Sequence, residues 1–167
     1  MSNEEELKLI EELNRIRFLD SDAEEDDEME EEIEEKIERY EKIVYELSNS
    51  HNINIIPYLC RIAEDSATEL TVVEYLIEVI VKIAKENNVK EGIKQIFKGT
   101  TLMFPQGKHK AIKLHIWLLR DESMRKYYKD ILTESSDKEK TIIKSILEEI
   151  RKIFGQELEI DSIIEAI

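Results

Sequence analysis

The sequence predicts an all-α protein, and three observations carry that prediction. Helix-forming Glu, Lys, Leu and Ile dominate, and only four Gly and two Pro interrupt 167 residues. Apolar residues recur at steps of three and four along most of the chain. Finally, Leu70–Lys85, LTVVEYLIEVIVKIAK, exposes only a stripe where a surface helix would bury one. At about 100° per residue, Thr71, Glu74, Glu78, Lys82 and Lys85 fall in an arc of about 80°. The rest of that helix is apolar, with Tyr75 at the margin, so other helices must pack it on three sides. It is too short and too charged to span a membrane. A chain of 167 residues with 41% apolar content supports one domain with a real core.

Taken in order, residues 4–19 read as a first helix with Leu7, Ile10, Leu13 and Arg17 on one face. The next stretch, 20–35, holds 12 acidic residues in 16. It is expected to be a loop near 20–28, with Ser21 or Asp22 as a cap, before a second helix from about Glu30. That helix carries Ile33, Ile37, Tyr40, Val44 and Leu47 on one side and ends at Ser48-Asn49-Ser50. After a connector, Pro57 opens a short helix over 56–65, and Thr68 is placed to cap the central helix. Further helices are predicted over 89–104, 108–120, 122–132 and 141–154, with a last one within 155–167. Pro105-Gln106-Gly107 and Ser135-Ser136-Asp137 mark turns, Asp121 caps or turns, and Gly155 suits a helix end. Gly99 reads as a weak point inside its helix.

Helix pairs begin near 56, 89 and 122, a spacing of 33, and each runs short helix, turn, longer helix. The expected architecture is a HEAT-like, α-solenoid-like array of about three antiparallel pairs over 56–154. Residues 1–50 form an acidic two-helix cap on its first open end. The alternative is an irregular bundle with evenly spaced loops.

Charge narrows the function. Residues 1–50 carry 20 Asp and Glu against 6 Lys and Arg, whereas residues 51–167 carry 19 against 18. Nearly all of the net charge of −15 therefore lies in the first third. Such a surface disfavours a phosphate backbone and favours a basic partner; its other reading is solubility alone. Cys60 is the single cysteine, so no disulfide framework exists. The acidic start, MSNEEELKL, is the opposite of a secretory leader, and the cytoplasm is the expected location.

No stretch announces a chemistry. Glu74 and Glu78 lie one turn apart and could act as an acid–base or metal pair, but no His shares their face. Lys82 follows Glu78 in the order that stabilises a helix, so an ordinary ion pair is the simpler reading. His51, His109 and His115 are scattered; no nucleotide loop or nucleophile elbow occurs, and Cys60 reads as a buried small residue. No catalytic residue, metal or cofactor is expected. On the helix over 110–121, His115 falls mid-arc among apolar residues and reads as a core histidine with a hydrogen-bond partner. Trp117, the only Trp, lies on the polar side between Lys113 and Arg120. It is either a binding hot spot or covered by a neighbouring helix.

The runs PYLCRIAEDSATELTVVEYLIEVIVKIAKE, GIKQIF and KAIKLHIWLLRDESMRKYYKDIL resemble the immunity protein 30 family of bacterial polymorphic-toxin systems. The family pattern is a short helix, an acidic turn and an apolar helix carrying Glu. A Leu-rich helix then ends before an Asp-Glu-Ser turn and a Tyr-containing helix. Leu118 through Ser123, with Tyr127 and Tyr128, match that last part best. The resemblance runs over roughly 56–132, which leaves the acidic segment 20–35 outside it and peculiar to this chain. It implies a small cytoplasmic protein that binds and neutralises a toxin and has no catalytic residues.

The expected partner is therefore a protein, a cognate and basic toxin domain held stoichiometrically, with no nucleic acid and no membrane involved. The alternative is a helical-repeat adaptor without a toxin. Candidate contact residues are Glu74, Glu78, Lys113, Trp117 and Arg120, together with Glu24, Glu25, Asp26, Asp27 and Glu28 of the acidic segment.

Overall fold

The computed structural model of the chain describes residues 1–18, 27–66, 70–155 and 158–167. Every regular element among them is helical: α1 (Asn3–Ile16), α2 (Asp27–Leu47), a 3-10 turn (Ile53–Ile55), α3 (Ile56–Ile62), α4 (Leu70–Asn87), α5 (Val89–Met103), α6 (Lys108–Arg120), α7 (Glu122–Glu134), α8 (Asp137–Phe154) and α9 (Ile160–Ile164).

Local chemistry sets most of the starts. Ser2 and Glu5 form a capping box on α1. The Asn88 side chain accepts from Glu91 N on α5, and Asp121 accepts from Ser123 N and Met124 N on α7. A second capping box, Ser136 with Glu139, starts α8 at Asp137 rather than at Thr141. Helix α2 likewise begins at Asp27, before Glu30, and α9 occupies only part of 155–167. The candidate caps Ser21, Asp22 and Thr68 lie outside the described residues.

The acidic turn after α3 has a structural use. Gly107 offers α6 no side-chain cap. Asp65 supplies one across space: its carboxylate accepts from His109 N at 2.9 Å and Lys110 N at 3.0 Å. Neighbouring Glu64 takes the Arg17 guanidinium at 3.1 Å, tying α1 to the same turn.

Odd-numbered helices follow one another, α1 against α3, α3 along α5, and α5 on α7; even-numbered helices do the same from α2 through α4 and α6 to α8. Helix α4 touches α2, α3, α5 and α6, as its narrow polar stripe requires. Its Val72, Leu76, Ile77, Val79, Ile80, Val81, Ile83 and Ala84 are all buried. Two glycines permit close crossings. A Cβ on Gly99 would sit 2.5 Å from the Cys60 sulfur, and one on Gly92 would sit 2.5 Å from the Ala84 Cβ. Gly99 is therefore the contact that lets α3 lie on α5, not a weak point.

The face of α1 is turned by one residue from expectation. Glu6, Ile10 and Leu13 are buried and Leu7 is exposed. The Glu6 carboxylate enters because Ser50 Oγ donates to it at 2.5 Å and Asn52 Nδ2 at 2.9 Å. Ile153 on α8 is likewise exposed.

His115 is fully buried, as expected. Its Nε2 lies 2.9 Å from Thr100 Oγ1 and its Nδ1 2.5 Å from the Tyr128 hydroxyl, with the Phe97 ring stacked at 5.8 Å. Thr100 already gives its proton to Ile96 O at 2.8 Å. One assignment satisfies every group: Tyr128 donates to Nδ1, Nε2–H donates to Thr100, and Thr100 donates to the backbone. Burial holds the imidazole neutral, pushing its pKa down to about 3.

Candidate functional site: a groove between α2 and α4

Helix α2 lays Glu38, Glu41, Lys42 and Tyr45 along one face, at offsets of three, four and seven residues. This face is a different one from Tyr40, Val44 and Leu47, which are buried. Helix α4 opposes it with Glu74, Tyr75 and Glu78. Between them lies an open groove of about 680 Å³. Tyr45 stands on its wall with 64% of its surface exposed.

The sequence candidates divide clearly. Glu74 and Glu78 share this groove. Lys113 reaches from α6 to form an ion pair with Glu74. The Lys113 hydrogen bond, with its charge, holds the Glu74 carboxyl below the usual carboxylate range. The pairing of Glu78 with Lys82 expected from their spacing is not formed. A cation from the adjacent helix takes Glu74 instead, because α4 and α6 pack side by side.

Trp117 lies one turn beyond Lys113 on the same face of α6 and is 40% exposed, so no neighbouring helix covers it fully. Arg120 does not reach the groove: its guanidinium sits 4.9 Å over the Phe154 ring of α8. Glu24, Glu25 and Asp26 lie outside the described residues. Asp27 and Glu28 open α2, and only their backbone is described.

Sequence reasoning missed the α2 wall. Glu38, Glu41 and Tyr45 carried a signal in their helical spacing, but attention to the apolar seam of α2 hides a second face. The opposition of that face to Glu74 and Glu78 needs the packing of α2 on α4.

The arrangement suits binding. Among the described residues no group of three or more His, Cys, Asp or Glu is placed to hold a metal ion. No helix among them is long and apolar enough to cross a membrane. Burial pushes the Cys60 thiol up to about 12, which removes it as a nucleophile at neutral pH.

The family model for immunity protein 30 matches residues 25–128. The chain belongs to the immunity protein 30 family. The match spans α2 to most of α7, and so includes both walls of the groove, Lys113, Trp117 and Arg120. It also corrects the placement of the acidic segment: residues from 25 onward lie within the family region rather than outside it. No curated protein and no solved structure matches the chain. Members of the immunity protein 30 family are immunity proteins, which implies a protein partner.

Proposed function

We propose that this immunity protein neutralises a cognate, basic toxin domain of a polymorphic-toxin system by binding it one to one in the cytoplasm, with no catalysis of its own. The observation that carries the reading is the ion pair from Lys113 to Glu74 inside the family region. It joins the acidic groove of α2 and α4 to the Lys113 and Trp117 face of α6. Excess carboxylate on that surface attracts a basic domain and speeds its association. The acidic run 24–28 adds to the negative charge of the first third of the sequence.

We read the helix order as a HEAT-like array within a single domain, with α1 and α2 as its acidic cap. Odd-on-odd and even-on-even packing and the starts of α3, α5 and α7 at 56, 89 and 122 support this. Even-numbered helices would then line one continuous face.

The test is capture of partners from the source cell on the tagged chain, followed by a toxicity assay. A single basic domain recovered one to one, and inactive in the complex, is expected. Trp117→Ala should weaken that complex by about 2 kcal/mol, roughly 30-fold in Kd. Several unrelated partners with no inhibited activity would favour the adaptor reading.

A further inference from the structure

We propose that the α2–α4 groove is an arginine seat: it receives a guanidinium presented by the protein partner, stacked on Tyr45 and paired with the groove carboxylates. The identity of that partner as a toxin rests on the preceding reading; the chemistry of the seat does not.

Four features point to this occupant. The lining residues include four carboxylates and one ammonium, that of Lys42, so the groove is short of positive charge. Among the described residues, Glu38, Glu41 and Glu78 take part in no ion pair. The groove already accepts a cation from its own chain, since Lys113 pairs with Glu74. That leaves the α2 side of the groove without such a partner. Finally, two tyrosines line it beside the acids, and Tyr45 keeps most of its ring in solvent.

Aromatic rings beside carboxylates select the guanidinium over the ammonium. A guanidinium is planar and weakly hydrated, stacks on a ring face, and presents a fork of donors to carboxylate oxygens. An ammonium is compact and strongly hydrated, and gains less from the ring. Along α1, Glu5, Glu11 and Glu12 line two further pockets, but no tyrosine stands among their lining residues.

The experiment is an NMR titration of the full chain with a blocked peptide alternating glycine and arginine, and with its lysine and citrulline counterparts. Amide shifts confined to Glu38–Tyr45 and Glu74–Glu78 are expected, with arginine bound about five-fold more tightly than lysine and citrulline silent. Tyr45→Ala should remove the preference for arginine over lysine while both still bind. The double change Glu38→Gln with Glu41→Gln should weaken both. Equal affinity for the two cationic peptides, with shifts scattered over α1 and α2, would overturn the proposal and leave the groove as acidic surface. The two readings fail separately. Recovery of no toxin alongside arginine-selective binding removes the immunity reading and keeps the seat. A toxin complex indifferent to Tyr45→Ala, with no arginine selectivity, does the reverse.

Discussion

The His115 cluster and the α2–α4 groove both bring aromatic rings together with hydrogen-bonding groups, and they end in opposite states. At His115 each polar atom has a partner, and the Phe97 and Tyr128 rings close around the imidazole. In the α2–α4 groove, Tyr45 is open to solvent and, among the described residues, Glu38 and Glu41 take part in no ion pair. The first arrangement is complete without anything added and works as structure. The second is framed by α2 packing on α4, with Lys113 of α6 on Glu74, and its lining residues border an open groove. The difference follows from desolvation. A buried donor left unpaired costs free energy, so a buried network persists only when it is closed. A solvated carboxylate bears no such penalty and stays available to a partner.

The sharpest way to break this comparison is to delete each ring. His115→Ala removes a buried side chain and leaves Thr100 and Tyr128 with unmatched groups. It should cost about 3–4 kcal/mol in urea unfolding. Tyr45→Ala should stay within about 0.5 kcal/mol of the parent. A similar cost for both would erase the distinction between closed and open sites.

A smaller effect comes from pH. Folding depresses the His115 pKa from its ordinary 6.5 to about 3. The unfolded chain therefore takes up a proton below pH 6.5 that the folded chain refuses. The stability contributed by the neutral imidazole is complete above pH 6.5 and is lost as pH falls from there toward 3. Between pH 7 and 5 the loss should be about 2 kcal/mol beyond that of a His115→Gln variant. Parallel pH profiles for the two would mean that the folded histidine protonates normally.

The smallest effect sharpens the groove itself. Lys113→Ala frees Glu74 from its competing cation. Its carboxyl should titrate nearer the usual value by NMR, the urea midpoint should not move, and affinity for the arginine peptide should rise roughly two-fold. A fall in affinity would show that Lys113 supports the groove rather than competes for it.

Periodicity foretold the helices because each records its own buried face: the narrow polar stripe of α4 and the position of His115 on α6 are both local patterns. Errors came where distant residues decide. Glu6 displaces Leu7 from the inner face of α1 because Ser50 and Asn52, more than 40 residues away, supply its donors. Gly99 looked like a helix defect because nothing within α5 reveals that Cys60 of α3 must pass against it. Glu74 looked like part of a stripe with Glu78 and Lys82, yet its cation comes from α6.

By itself, then, the sequence determined the helical class, the order and approximate limits of the helices, the concentration of negative charge in the first third, and a family signature in the apolar runs. These are properties of composition and short spacing, which act through local backbone preference and the burial of one helix face. The tertiary structure alone decided which polar groups close on one another and which are left open. A hydrogen bond or ion pair between helices depends on where two distant segments meet, and only the packed chain brings Tyr45, Glu41 and Glu74 around one groove.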